Sequence, residues 1–100
     1  MLLTNRGETT VCEQVAAPTD WPLSIVVAVT TAGPKATSSR EGMAQSEATS
    51  PYYDAWVETH ATDLDAGLSA VRARDFAELA ELAEHNCLKM HAVMMSTRPP

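Results

Sequence analysis

An α+β fold is predicted for this chain by three observations: a continuous apolar, β-branched run from Leu23 to Thr30, a serine-capped helix start at Ser38 or Ser39, and two long stretches of apolar residues at helical spacing beyond Pro51. The expected order is one buried strand, a short helix and a long antiparallel helical hairpin. A chain of 100 residues allows one domain with a single modest core.

Residues 1–20 mix polar, acidic and small side chains around Pro18 without a sustained period, and read as a short extended segment and a loop. The run LSIVVAVT follows Pro22 and ends at the turn Thr31-Ala32-Gly33-Pro34. That is the pattern of a strand covered on both faces. Such a strand needs neighbours on its edges, because unpaired amides and carbonyls are costly in an apolar setting. No second run of comparable strength occurs, so its partner strands are expected in sequence outside these residues.

Ala32 to Thr37 is a short loop of small residues. Ser38 with Glu41 three residues later is a capping box, which starts a helix. Ser50-Pro51 is a second start signal, with serine at the cap and proline at the first helical position. Tyr53, Trp56, Val57, His60, Leu64, Leu68 and Val71 then fall at spacings of three and four, one apolar face of a helix about twenty residues long. Arg72 and Arg74 sit at its end, where positive charge suits the helix dipole. Asp75 with Glu78 repeats the capping spacing, and Phe76, Leu79, Leu82, Ala83, Cys87, Met90 and Met94 continue a stripe toward Ser96. Two long helices joined by so short a turn pack antiparallel, with Leu23 to Thr30 expected on their sheet side.

Composition narrows the function. A net charge of −6 and a pI near 4.8 argue against a general nucleic-acid or anionic-membrane surface. The amino terminus MLLTNRGETT lacks the apolar core of a signal peptide, and no run approaches the roughly 18 apolar residues of a membrane span. A cytoplasmic protein is expected. Cys12 and Cys87 lie in no CxxC or zinc-like pattern and are expected as thiols. His85 and His91 are six apart, off a shared helix face, so they and His60 read as structural histidines rather than metal ligands. Met90, Met94 and Met95 read as helix core filler, and Asp54, Asp63 and Asp65 as solvated acids. No metal site is expected.

The chemistry concentrates in Gly33 to Met43, GPKATSSREGM. First-turn amides of a helix have no intrahelical partner and the dipole adds positive charge there, so the site attracts anions. Lys35 and Arg40 bring two full positive charges to the same few residues. Gly42, inside the helix, costs about 1 kcal/mol relative to alanine, which a close approach of backbone or ligand would account for. On spacing alone, a simple cap with solvated cations fits the same residues. The anion reading requires an open pocket that protein carboxylates do not fill.

Three separated segments carry a family resemblance: Trp21-Pro22-Leu23 leading into the apolar run, SSREGM with its sequel TSPYYDAW, and Lys89-Met90-His91-Ala92 closing on Arg98-Pro99-Pro100. Together, in this order, they resemble the opening of the C-terminal half of diphosphomevalonate decarboxylases, in the superfamily of galactokinase, homoserine kinase, mevalonate kinase and phosphomevalonate kinase. The resemblance implies that residues 21–100 are part of a C-terminal domain of that type, and residues 1–20 a connecting segment from an N-terminal ATP-binding domain. It implies ATP-dependent decarboxylation of mevalonate 5-diphosphate to isopentenyl diphosphate, with ATP and Mg²⁺ held mainly by segments outside this sequence and a homodimer for the complete enzyme. Ser39 and Arg40 correspond to residues that contact the substrate diphosphate, and Lys35 to one member of a lysine pair. The family's ATP-phosphate loop is expected before Met1 and its catalytic aspartate, in a DAGPN motif, after Pro100. No catalytic residue is therefore assigned here, and no turnover is expected from this polypeptide alone. Two other readings fit: a related mevalonate or phosphomevalonate kinase or decarboxylase with the same fold, and a noncatalytic helical interaction module.

Overall fold

A glycine near the amino terminus sets the first element. Gly7 takes φ 62°, a left-handed conformation open to glycine without steric cost, and with Glu8 forms the two-residue loop of a hairpin. In the computed structural model, which describes residues 1–100, β1 (Leu2–Arg6) and β2 (Thr9–Glu13) pair antiparallel. The register sets Leu2 against Glu13, Thr4 against Val11 and Arg6 against Thr9. Leu2, Thr4 and Val11 are the half-buried positions, all on one face of the ribbon, so the two-residue period decides which side turns inward.

The α+β class holds, but its β part lies elsewhere than expected. Leu23 to Thr30 forms no strand, and no backbone hydrogen bond involves it. Ile25, Val26, Val27 and Val29 are 75–93% exposed. The physical reason is the one that predicted partner strands in the first place: without an adjacent edge the run has no ladder to join. The amino-terminal hairpin satisfies its own inner edges through five residue pairs and leaves the run unpaired.

Three helices follow: α1 (Ser39–Thr49), α2 (Tyr53–Ala73) and α3 (Phe76–Ser96). Ser38 caps α1 as a full capping box, its Oγ accepting from the Glu41 amide at 3.2 Å while the Glu41 carboxylate accepts from the Ser38 amide at 3.2 Å. The start expected at Ser50-Pro51 moves slightly. Ser50 closes α1, its amide donating to the Ser46 carbonyl, and its hydroxyl accepts from the Tyr52 amide, so Tyr52 becomes the residue before α2. Arg74, at φ 54°, reverses the chain in a left-handed conformation, and Asp75 caps α3 by accepting from the Glu78 amide.

α2 and α3 pack as the expected antiparallel hairpin. Leu82 lies against Gly67, where an added Cβ would sit 3.5 Å from the leucine Cδ2, and Ala70 beyond it is buried. One turn away, Lys89 Nζ donates to Asp63 Oδ2 at 2.7 Å and to Thr59 Oγ1 at 3.2 Å, while Asn86 Nδ2 donates to the same Asp63 oxygen at 3.0 Å. Asp63 is thus an interhelical clamp rather than a solvated acid. The Lys89 hydrogen bond, then that of Asn86, holds its carboxyl below the ordinary carboxylate range. The stripe His60, Leu64, Leu68 and Val71 lines, together with Gly67 and Leu82 of this seam, an apolar groove of about 640 Å³ that Leu2 and Trp21 flank from the amino-terminal side.

The third packing contact is polar. Ser46 and Thr97, both buried, bond through their hydroxyls at 2.8 Å, and Ser50 meets Ser96 at 2.7 Å. Thr97 Oγ1 already donates its proton to the Val93 carbonyl at 2.8 Å, so Ser46 is the donor in the first pair. Thr49 Oγ1 accepts from the Arg98 amide and Gln45 Nε2 donates to the Arg98 carbonyl. These bonds fasten the end of α3 and the tail Arg98-Pro99-Pro100 to the middle of α1. Val93 is the most fully buried large side chain, at 1% exposure, just beneath the stitch.

Candidate functional site

The polar stitch shapes a cleft. Because Thr97 is tied to Ser46, the carboxyl-terminal prolines lie across from the start of α1, and a space of about 590 Å³ opens between them. Lys35, Thr37, Ser38 and Ser39 form its polar side, Pro99 and Pro100 part of the opposite wall. No Asp or Glu is among its lining residues, although the Glu41 carboxylate is bonded to Ser38 at its edge.

Two backbone donors at the start of α1 have no protein partner. The amides of Ser39 and Arg40 make no hydrogen bond within the protein, while those of Glu41 and Gly42 are taken by the Ser38 side chain and carbonyl. Neither Lys35 nor Arg40 has a carboxylate within 4.0 Å, the only ion pairs being Arg6 with Glu13 and Lys89 with Asp63. Glu41 opposes them in part. The Ser38 amide, and secondarily its hydroxyl, hold this carboxyl below its ordinary value, so it is ionised at neutral pH. Two cations against one carboxylate leave a local charge of +1 in a chain of net charge −6.

Of the three residues singled out from sequence, the structure brings Lys35 and Ser39 to the cleft and leaves the Arg40 side chain outside its lining, exposed on α1. Gly42 lines the cleft, and a Cβ there would meet only Thr37 Cγ2 at 3.9 Å. Close approach of protein backbone is therefore not what a glycine serves at this position; the free space belongs to the cleft. Sequence reasoning missed Thr37, Gln45 and Thr97 as lining residues. The Arg98-Pro99-Pro100 segment was visible as a motif, but its place beside α1 depends on contacts 49 to 53 residues apart in sequence.

Several other expectations are corrected. Met94 and Met95 are 50% and 78% exposed, so they do not fill a core, and Met90 is half-buried between the two cavities. The core instead gathers around Val93, one residue off the expected stripe. His60, His85 and His91 are all exposed rather than structural. His91 Nδ1 lies 3.9 Å from Cys87 Sγ, one helical turn away. Cys12 and Cys87 are free thiols, as expected. No helix is long and apolar enough to cross a membrane.

Comparison with known families supplies the deciding observation: residues 25–100 match the family described as mevalonate 5-diphosphate decarboxylase C-terminal domain. The chain belongs to that family. It is 32% identical over 99 residues to the diphosphomevalonate decarboxylase of Danio rerio, an alignment covering 94% of this chain and 24% of the relative. The chain thus spans about a quarter of the length of the curated decarboxylase it matches. No solved structure matches it. The matched decarboxylase domain residues include the whole of the cleft lining, from Lys35 to Pro100.

Proposed function

We propose that this chain supplies the diphosphate anchor of a diphosphomevalonate decarboxylase, an enzyme that uses ATP to convert mevalonate 5-diphosphate to isopentenyl diphosphate and carbon dioxide. Family membership supports the reaction class. The observation that carries the anchor is the unbonded amide of Ser39 beside an unpaired Lys35, both residues lining one open cleft.

In this reading the Ser39 hydroxyl and amide donate to phosphoryl oxygens, and the Lys35 ammonium neutralises part of their charge. Arg40 stands outside the cleft lining, and its exposed guanidinium adds a longer-range attraction. Holding the diphosphate at a fixed point sets the position of the substrate's distant hydroxyl and carboxylate, which converts part of the reaction's entropic barrier into binding. The proposed role is to bind and orient, with no proton transfer. ATP and Mg²⁺ belong to the whole enzyme's reaction. No group of three or more His, Cys, Asp or Glu side chains here could hold a metal ion, so no step is assigned to Mg²⁺ within this chain.

Calorimetric titration tests the anchor, with mevalonate 5-diphosphate and inorganic diphosphate as ligands. Each charge-assisted contact is worth roughly 1.5 kcal/mol or more, so Lys35→Ala and Ser39→Ala are each expected to weaken binding about tenfold. Arg40→Ala should act less, because the residue stands outside the cleft lining. Unchanged affinity in both Lys35→Ala and Ser39→Ala would sink the assignment.

A further inference from the structure

The wall of the cleft opposite Lys35 and Ser39 has few means of holding itself in place. Pro99 and Pro100 carry no amide proton, and neither makes a backbone hydrogen bond. Thr97, before them, is tied to Ser46 and Val93. Arg98 is therefore the last residue able to fix the direction of the chain, and side chains of α1 take both of its backbone polar groups. Its amide donates to Thr49 Oγ1 at 2.9 Å, and its carbonyl accepts from Gln45 Nε2 at 2.8 Å. Thr49 Oγ1 in turn donates to the Gln45 carbonyl at 2.8 Å, so two residues one helical turn apart grip Arg98 from one face of α1. Bonds on both sides of the Arg98 Cα fix its two soft dihedrals. The Gln45 bond fixes the second, which aims Pro99 and Pro100 at the cleft.

We infer that Gln45 is a positioning residue of the diphosphate cleft, which by holding the Arg98 carbonyl keeps Pro99 and Pro100 across from the anchor. The inference rests on the anchor reading above. An apolar wall in that place keeps water from Lys35 and Ser39, and hydrogen bonds and charge pairs gain strength where the local dielectric is low. Glutamine suits the task because its side-chain amide donates to a carbonyl without bringing a charge into an anion cleft. Gln45 is half-buried in the cleft lining, whereas Thr49 is exposed and outside it. Thr49 can thus influence a bound ligand only through Arg98, which makes it the control that separates holding the wall from touching the ligand.

Calorimetric titration of the full chain with inorganic diphosphate, paired with ¹⁵N relaxation of its backbone amides, tests this. Gln45→Met keeps the side-chain length and loses the donor. The Arg98 amide, the last before the prolines, should then lose order in its steady-state ¹⁵N NOE, while the Thr97 amide, bonded to the Met94 carbonyl, keeps it. Diphosphate binding should weaken about fivefold, the worth of one hydrogen bond. Thr49→Val should move both readouts in the same way, and the double variant should bind no more weakly than either single one, because the wall is lost only once. Helical circular dichroism should match the parent's throughout. A parent chain that binds no diphosphate, or whose affinity neither Lys35→Ala nor Ser39→Ala changes, overturns the anchor and this inference with it. Where those variants do weaken binding but Gln45→Met and Thr49→Val leave it as in the parent, this inference alone is overturned. It is overturned equally by an Arg98 amide that stays ordered in Gln45→Met, or by weakening in Gln45→Met without any in Thr49→Val, which would make the glutamine a direct ligand contact.

Discussion

Removing the Thr97 hydroxyl should cost more than removing the Ser46 hydroxyl it meets. The two oxygens lie 2.8 Å apart in a buried contact, Ser46 being 4% and Thr97 6% exposed. Ser46 Oγ makes no other hydrogen bond, whereas Thr97 Oγ1 also donates to the Val93 carbonyl at 2.8 Å. Thr97→Val keeps the shape but strands the Ser46 hydroxyl, which carries the desolvation cost of an unsatisfied buried group, about 2 kcal/mol. Ser46→Ala leaves Thr97 its carbonyl partner and forfeits only the net value of one hydrogen bond, about 1 kcal/mol. The double variant replaces both polar groups with apolar ones and should cost about 1 kcal/mol rather than the 3 or so that simple addition gives, a coupling of about 2 kcal/mol. Thermal unfolding followed by circular dichroism would show the larger single effect as a drop of roughly 10 °C. Equal single costs, or strict additivity in the double variant, would refute the argument that a lone donor in this stitch holds α1 to the end of α3.

Acid should loosen the helical hairpin through Asp63. Its folded-state carboxyl titrates below the ordinary value, so the stabilisation is complete above about pH 4 and is lost as pH falls through the lowered folded value. Asp63→Asn should lower stability at neutral pH and flatten that acid limb; a limb of unchanged depth in an unfolding series across acidic pH would count against the clamp. Gly42→Ala should separate stability from binding. The added methyl has room beside Thr37 and removes a helix-interior glycine, so the fold should gain about 0.5–1 kcal/mol in denaturant unfolding while diphosphate affinity in the adjoining cleft falls. Tighter diphosphate binding in that variant would show that the cleft is not where the ligand sits.

Local rules written over a few residues survived folding best. Ser38 with Glu41, and Asp75 before Glu78, are caps whose donors and acceptors lie within one turn, so their geometry follows from sequence spacing. The two long helices followed from apolar periodicity, although Ser50 closes one helix rather than opening the next. The hairpin around Gly7 was missed because its alternation is weak, Leu2, Thr4 and Val11 being the only half-buried positions. Leu23 to Thr30 misled for the opposite reason. Its composition is that of a buried strand, and composition says nothing of whether an edge is available to pair with it.

The candidate site divides in the same way. An anion-attracting helix start flanked by Lys35 and Arg40 could be read from eleven residues in a row, because capping and the helix dipole act over a single turn. Which of the two cations reaches the cleft, and that Thr97 and the final prolines wall it, came only with the tertiary structure. Those positions depend on hydroxyl and amide bonds between residues about fifty apart, which meet only because α2 and α3 fold back on each other as a hairpin.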